Sequence, residues 1–360
     1  MSQDHKKNRP RPLVIAHRGA SGYRPEHTLE SYRLAIEMGA DFIEPDLVST
    51  RDGHLVARHE PDITATTDVA QRSEFAARRR TTTIDGIEVT GWFTTDFTLS
   101  ELRSLRAVQP RADRSQEFNG LFMIPTFAEI IELARSESAR TGRRIGIYPE
   151  TKHPTWHCEQ GLPLEPVLLA MLEIVGWTRR DSPVFIQSFE SGNLRWLRSR
   201  TGAPLVQLLE GGELQPDGRL RPLPPWRSEG TCRLYPQGSL PTDFDDPASF
   251  AKIAEYADAV GPWKRLLIGS RETDATDATE RTRQLTPATR FVELAHAAGL
   301  QVHPWTFRDE AVHLAADYAG DPRAEYAAFE ALGVDAVFSD HPDTAVSVFK
   351  KKARQSPVGP

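Results

Sequence analysis

The sequence predicts an α/β protein, a (β/α)8 TIM barrel with loop insertions. Nine short apolar runs recur along the chain, and polar residues follow each of them at once or within a few positions. Such runs are typical of strands that are buried on both faces in a parallel sheet. Amphipathic helical segments lie between the runs, and this alternation of strands and helices over the whole length predicts repeated βα units.

The predicted elements follow one another in a regular order. The apolar runs are Leu13–Ala16, Phe42–Ile43, Leu55–Ala57, Ile145–Tyr148, Val184–Ile186, Leu205–Leu209, Ala257–Val260, Leu300–Val302 and Val334–Phe338. The helical segments are Leu29–Met38, Ser100–Ala107, Thr126–Ser136, Leu164–Val175, Glu190–Arg198, Thr289–Ala298 and Asp343–Phe349. Nine runs exceed the eight strands of a barrel by one. The turn Arg51–His54 contains Asp-Gly, a strong hairpin signal, so we expect the second and third runs to form a hairpin.

The chain is longer than the predicted barrel requires. A barrel of this type typically needs about 250 residues, whereas the chain has 360. The surplus is expected in three insertions, at about residues 61–120, 211–247 and 270–284. Residues 12–350 are expected to form one domain, with residues 1–11 and 351–360 as flexible tails.

Composition excludes several classes of protein. Lys and Arg number 44 and Asp and Glu number 50, and this mild acidity argues against a nucleic-acid partner. No apolar run approaches the roughly 18–20 residues that span a bilayer, so no stable membrane insertion is expected. Two cysteines are too few for a disulfide framework or a Cys-rich zinc site. No apolar stretch of a signal peptide follows the charged start, so we expect a cytoplasmic protein, or a periplasmic or secreted one if the start site is misplaced.

Three carboxylates are the candidate metal ligands. The active site of a TIM barrel lies at the C-terminal ends of its strands, where Glu44 and Asp46 end the second run and Glu150 follows the fourth. Residues two apart on a strand point to the same side. An all-oxygen set of this kind suits Mg²⁺ or Ca²⁺ better than Zn²⁺. The alternative is that the carboxylates merely pair with Arg18 and Lys152.

Two histidines and two cations follow the same strands. His17 and His59 are candidates for proton transfer near neutral pH. A single histidine at a strand end is more often structural, but two beside an acidic cluster favour catalysis. Arg18 and Lys152 are the natural contacts for a phosphate group. A small-molecule phosphate ester is therefore the expected partner.

Two aromatic residues follow later strands. Phe189 and Trp305 are candidates for an apolar wall against the non-phosphate part of a substrate, with ordinary barrel packing as the alternative. Gly19 and Gly22 would let the backbone approach a ligand closely.

Two further histidines raise the question of a second metal site. His153 and His157 are four positions apart and would need a helix to share a zinc ion. The proline that follows His153 argues against that helix.

The residues singled out above resemble the signature of the glycerophosphodiester phosphodiesterase family. The stretch from Ala16 to Glu60, AHRGASGYRPEHTLESYRLAIEMGADFIEPDLVSTRDGHLVARHE, is similar to that signature throughout. The segments IGIYPETKHP, VFIQSFE, VHPWTF and DAVFSDHPD extend the resemblance over nearly the whole chain. His27 stands where the family commonly has Asn, and Glu60 stands where it usually has Asp. The long insertion resembles the long bacterial, periplasmic-type branch.

The resemblance implies a function and assigns roles to the candidate residues. It implies one divalent ion held by Glu44, Asp46 and Glu150, and an acid–base pair formed by His17 and His59. The implied substrates are deacylated phospholipids such as glycerophosphocholine, and the implied products are sn-glycerol 3-phosphate and an alcohol.

Two alternatives to this function stay open. One is a lyase-type phospholipase that acts on sphingolipid or lysolipid head groups, with Leu220–Trp226 as its candidate membrane contact. The other is a non-catalytic glycerophosphodiester binder, and the oligomeric state is not predicted.

Overall fold

The computed structural model describes residues 10–214, 220–221, 232–235, 240–241, 243–272 and 283–350. Its strands are β1 Leu13–His17, β2 Phe42–Glu44, β3 Asp46–Ser49, β4 Leu55–Ala57, β5 Arg80–Ile84, β6 Ile87–Gly91, β7 Gly146–Ile147, β8 Glu150–Thr151, β9 Ile186–Ser188, β10 Leu205–Leu209, β11 Glu213–Leu214, β12 Leu220–Arg221, β13 Ala259–Pro262, β14 Ile268–Glu272, β15 Arg283–Ala288, β16 Gln301–Val302 and β17 Ala336–Ser339. Its helices are α1 Leu29–Met38, α2 Leu99–Leu102, α3 Phe127–Thr141, α4 Pro154–Glu159, α5 Leu164–Ile174, α6 Ser191–Arg198, α7 Pro247–Ala254, α8 Phe291–Ala297, α9 Pro322–Leu332 and α10 Pro342–Phe349.

The parallel strands follow one another around a barrel. One sheet has the order β17–β1–β2–β7, and a second begins β16–β13–β10–β9–β8–β3. Two strands of the barrel are each divided between the sheets. Only Pro45 separates β2 in the first sheet from β3 in the second, and only two residues separate β7 in the first from β8 in the second. On the far side the amide of Asp335 donates to the carbonyl of Val302 at 2.9 Å, and that of Phe338 donates to Pro304 at 3.0 Å. The predicted TIM-barrel fold is confirmed.

The third apolar run forms the predicted hairpin with the strand before it. Strand β4 pairs antiparallel to β3, with Ala57 opposite Leu47. The turn between them includes Gly53, whose φ of 79° lies in the left-handed region that favours glycine. Since β4 runs back toward the start of β3, it returns the chain to the level of Asp46. The residues that follow β4 therefore re-enter the rim of the barrel.

Several helices differ from the sequence prediction. Helix α2 ends at Leu102 rather than Ala107. Helix α4 was not predicted, but Pro154 occupies its first turn, where proline has no amide hydrogen to lose and already has a helical φ. The sequence prediction also lacked helices α7 and α9. Each of them begins at an Asp-Pro pair, and the aspartate side chain caps the helix.

The first insertion is more ordered than a loop excursion. It contains the hairpin β5–β6, helix α2 and a separate apolar cluster that packs against β3 and β4. The cluster consists of Val48, Val56, Ile63, Val69, Phe75, Trp92, Phe97, Leu102, Leu105 and Ile124. The predicted insertion at 270–284 overlaps a second hairpin, β14–β15, and residues 273–282 lie outside the described part of the chain.

The two cysteines form a disulfide, which the low cysteine count did not suggest. Cys158 of α4 bonds to Cys232, and their Cα atoms lie 5.9 Å apart. The bond attaches the predicted insertion at 211–247 to the helix that follows β8. Of the candidate membrane contact at 220–226, residues 222–226 lie outside the described residues. In the described part of the chain, every helix is too short or too polar to cross a membrane.

The barrel interior is packed rather than hollow. Tyr148 stacks on Phe185 with ring centroids 5.1 Å apart and meets Phe338 edge-on at 5.0 Å. Ile15 and Val206 belong to the same buried cluster. These side chains form a floor, and the polar residues at the strand ends lie above it.

Candidate active site

One cavity at the C-terminal ends of the strands brings together every predicted site residue. Its volume is about 350 Å³. It is lined by His17, Arg18, Glu44, Asp46, His59, Glu150, Lys152, Phe189 and Trp305, along with other residues. The hairpin explains the position of His59, since β4 carries the chain back to this rim although it runs against the barrel strands.

The three carboxylates form one buried cluster. Each of Glu44, Asp46 and Glu150 offers an oxygen, and these atoms lie within 4.8 Å of one another. Asp46 and Glu150 are direct partners in the parallel register of β3 and β8. The Oδ1 atom of Asp46 is buried and has no hydrogen-bond partner. A buried acceptor left without a partner is costly unless something else binds it.

The electrostatics of this cluster fit a divalent cation. Burial and the neighbouring carboxylates raise the pKa of Glu44 well above its ordinary value. Burial also raises the pKa of Glu150, to about 8. Asp46 differs: burial opposes its charge, but the hydrogen bond with His27 and the neighbouring charges of His27, Lys152 and His59 together hold its pKa well below the usual range. Three hard oxygen donors that repel one another are suited to Mg²⁺ or Ca²⁺.

His17 is oriented by a residue that the sequence analysis missed. Its Nδ1 lies 2.6 Å from Oδ1 of Asp340, which follows β17, the strand next to β1. The other oxygen of Asp340 accepts from Arg114 at 2.5 Å and from Arg308 at 3.0 Å. Because the carboxylate can only accept, Nδ1 of His17 carries the proton and Nε2 is left as an acceptor. Burial and the charge of Arg18 lower the pKa of His17.

His59, like His17, has a carboxylate oxygen beside its Nδ1 atom. Its Nδ1 lies 3.0 Å from Oε1 of Glu60, and its Nε2 lies 3.4 Å from Nζ of Lys152. Burial and the charges of Arg18 and Lys152 lower the pKa of His59 to about 4. Both imidazoles are therefore neutral at pH 7 in the free protein, each with Nε2 as an acceptor.

The two cations lie beside the carboxylates. Arg18 donates its backbone N–H to Glu44 at 2.8 Å, and its guanidinium approaches Asp46 at 3.6 Å. Lys152 Nζ lies 3.1 Å from Glu150. The ion pairs of the alternative interpretation are thus present in part, but they leave Oδ1 of Asp46 without a hydrogen bond.

The aromatic pair borders the same cavity. The rings of Phe189 and Trp305 meet edge-on with centroids 5.8 Å apart. Trp305 donates its indole N–H to the carbonyl of Gly261 at 2.7 Å, which fixes the ring. Nζ of Lys152 lies 5.7 Å from the centroid of Phe189. The pair presents an apolar edge beside the two cations.

Gly19 and Gly22 pack closely against other parts of the protein. A Cβ at Gly19 would lie 2.5 Å from Oγ of Ser31, and one at Gly22 would overlap the ring of His341. The missing side chains therefore serve packing within the protein, and the close approach to a ligand stays a prediction.

The interpretation of the HPTWH segment also needs correction. Helix α4 does form, with His153 at its N-cap and His157 in its interior. His157 is buried, and both ring nitrogens of His153 are engaged, one by Asp85 and the other by Glu60, so His153 has no nitrogen left for an ion shared with His157.

Comparison with known proteins gives a consistent result. The model of the glycerophosphoryl diester phosphodiesterase family matches residues 17–344. A glycerophosphodiester phosphodiesterase of Arabidopsis thaliana, GDPD6, is 35% identical over 92% of this chain and 84% of its own length. The glycerophosphodiester phosphodiesterase of Haemophilus influenzae is 30% identical over 94% of this chain and 90% of its own length.

Solved structures show the same fold at lower identity. A phosphodiesterase of Oleispira antarctica, solved in complex with the product sn-glycerol-3-phosphate, has a TM-score of 0.57 at 20% identity and covers 95% of this chain and 98% of its own. A glycerophosphodiester phosphodiesterase of Agrobacterium tumefaciens has a TM-score of 0.55 at 18% identity, covering 94% and 100%. The family match spans the carboxylates, both histidines and every barrel strand after β1, and the chain therefore belongs to the glycerophosphoryl diester phosphodiesterase family of enzymes.

Proposed function

We propose that the chain hydrolyses deacylated phospholipids such as glycerophosphocholine to sn-glycerol 3-phosphate and a free alcohol. One observation carries the proposal: three buried carboxylates, two neutral imidazoles and two cations line one cavity of about 350 Å³. The relatives named for this activity, and the neighbour solved with sn-glycerol-3-phosphate, support the substrate class.

The acidic cluster would hold a divalent ion in this proposal. Glu44, Asp46 and Glu150 would be its ligands, and Ca²⁺ or Mg²⁺ is the ion that their oxygens suit. A bound ion supplies Lewis-acid polarisation and a template for the phosphate and glycerol oxygens. Arg18 and Lys152 would neutralise negative charge on the phosphodiester as it increases toward the transition state.

The two imidazoles would move the protons. His17, held by Asp340, would accept a proton at Nε2 from the nucleophile, which is either water or the adjacent glycerol hydroxyl. His59 would deliver a proton from Nε2 to the leaving alkoxide. A phosphodiester anion between Arg18 and Lys152 would offset the charges that lower the pKa of His59, and so favour its protonated form.

The decisive experiment is an assay of glycerol 3-phosphate release from glycerophosphocholine. We expect release by the protein as isolated, loss of release after EDTA treatment, and recovery on addition of Mg²⁺ or Ca²⁺. Binding of glycerophosphocholine without turnover under every metal condition would instead support the binder. Cyclic phosphate products from sphingomyelin or lysophosphatidylcholine, without turnover of glycerophosphocholine, would support the lyase.

We also propose that the chain works in an oxidising compartment, in contrast to the cytoplasmic location expected from the sequence. The Cys158–Cys232 disulfide supports this, because disulfides form and persist outside reducing compartments. Thiol labelling of the protein from separated cell fractions under non-reducing conditions tests it. We expect the protein in the periplasmic or extracellular fraction with no free thiol. Two labelled thiols in the cytoplasmic fraction would contradict the proposal.

A further inference from the structure

A chain of four side chains leads away from His59 to the first insertion. Nδ1 of His59 lies 3.0 Å from Oε1 of Glu60, and Oε2 of Glu60 lies 2.7 Å from Nε2 of His153. Nδ1 of His153 lies 2.5 Å from Oδ2 of Asp85. Carboxylates and imidazoles alternate along this chain, so each bond joins a donor to an acceptor.

The four residues come from three separate elements. Glu60 directly follows His59 after β4, and His153 is the N-cap of α4, just after β8. Asp85 lies at the tip of the hairpin β5–β6, within the insertion at 61–120. Asp85 of the first insertion is thus connected, through His153 and Glu60, to His59 at the cavity.

The backbone at His153 is unusual. Asp85 has a φ of 49°, as the two-residue Asp-Gly turn of its hairpin requires. His153 has a φ of 43° outside any hairpin, in the left-handed region that residues other than glycine rarely adopt, and such conformations persist where the surroundings hold them. The Asp85 side chain is only 2% exposed, so its carboxylate is directed inward at His153 rather than at solvent.

The chain restricts a side chain that would otherwise move. The Glu60 side chain is 42% exposed, and a glutamate at that exposure has several rotamers open to it. Contacts with two imidazoles hold both of its oxygens. Burial opposes the charge on His153, but Asp85 and Glu60 raise its pKa to about 9, so His153 is charged at neutral pH. The fixed carboxylate in turn fixes the tautomer and the direction of His59.

We propose that Asp85 is a positioning residue for the reaction, acting through His153 and Glu60 to hold the imidazole of His59 in place. The inference rests on the proposed function, since it assumes that His59 takes part in turnover. In this proposal the first insertion supplies a residue that positions a side chain of the active site.

A double-mutant cycle tests the proposal. Asp85→Ala should lower kcat for glycerophosphocholine roughly 10–100-fold, the usual range for residues that orient a site from outside, with little change in KM. In the His59→Ala background the same change should have no further effect on kcat. The more conservative Asp85→Asn keeps the side-chain shape and should show a smaller loss. Glu88→Ala, at an exposed position of the same hairpin, is the matched control and should leave kcat unchanged.

A readout without turnover separates this proposal from the proposed function. The ring-proton resonance of His59, assigned by its loss in His59→Ala, should shift in Asp85→Ala and Asp85→Asn but not in Glu88→Ala. An unshifted resonance in Asp85→Asn, or equal losses of kcat in both backgrounds, would overturn the proposal. If Asp85→Ala fails to fold, Asp85→Asn decides by the same two measurements. A wild-type protein without phosphodiesterase activity would contradict the proposed function alone, because the resonance still reports the position of His59.

Discussion

His27 shows how one side chain can support the acidic cluster. It is fully buried, its Nε2 lies 2.9 Å from Oδ2 of Asp46, and its Nδ1 lies 2.8 Å from the hydroxyl of Tyr32. The sequence identified His27 only as a departure from the asparagine common in the family. The sequence could not show the contact with Asp46, because the two residues are 19 positions apart and meet only in the folded protein.

We expect His27→Ala to weaken binding of the divalent ion roughly 10–100-fold, because Asp46 loses the hydrogen bond that orients it. The measurement is activity against free Mg²⁺ or Ca²⁺ after EDTA treatment. His54→Ala, in the exposed turn between β3 and β4, is the control. Equal half-saturating metal concentrations in the two variants would contradict the expectation.

Removal of either imidazole that we propose as a proton carrier should slow turnover itself. His17→Ala and His59→Ala should each lower kcat by roughly 10²–10⁴-fold, the usual contribution of general acid–base catalysis. Glycerol 3-phosphate release at saturating substrate is the measurement. Near-normal turnover in one of the variants would remove that histidine from the mechanism.

At the scale of elements, the first insertion supports both histidines. Asp85 reaches His59 through His153 and Glu60, and Arg114 donates to Asp340, which holds His17. The sequence analysis identified the hairpin at Arg51–His54 but not the one at Asp85, although both carry Asp-Gly. Ile84 and Ile87 flank the second signal, but three consecutive threonines precede it and form no apolar run, and its partner His153 is 68 positions away.

Two glycines with the same backbone conformation should differ in their effects. Gly53 has a φ of 79° with open space around its Cα, whereas Gly19 has a φ of 87° and lies against Ser31. Gly53→Ala should cost about 1–2 kcal/mol of unfolding free energy, the cost of a left-handed residue, and leave kcat unchanged. Gly19→Ala should cost more and lower kcat, because it displaces the amide of Arg18 from Glu44. Urea unfolding and the turnover assay check both, and equal losses would contradict the role of the Ser31 contact.

At the scale of the whole molecule, the barrel was the most predictable feature. Its strands are buried on both faces, so their apolar runs stand out, and their polar ends fall on one rim. The nine predicted site residues share one cavity for that reason. Asp340 was not identified and His153 was considered only as half of a zinc pair, because a supporting side chain carries no pattern of its own in the sequence. The single domain over residues 12–350 stays a prediction.

His153 links the stability of the molecule to pH. Its pKa in the folded protein is about 9, above the ordinary 6.5, so protonated His153 stabilises the fold fully below pH 6.5. This contribution is lost as the pH rises through 9. His153→Gln should therefore lower the free energy of unfolding more at about pH 6 than at about pH 9.5. Urea unfolding of both proteins at the two pH values is the measurement, and an equal difference at both would refute it.

The aromatic floor of the barrel determines how molecules pass in and out. Tyr148, Phe185 and Phe338 fill the axis directly beneath the cavity. Among the described side chains, the cavity is therefore open only at the rim of the barrel. Substrate and both products would then share that opening of the cavity, which Phe189 and Trp305 line. Whichever product leaves second occupies the opening that the next substrate needs. We therefore expect it to act as a competitive inhibitor, with turnover slowing as it accumulates.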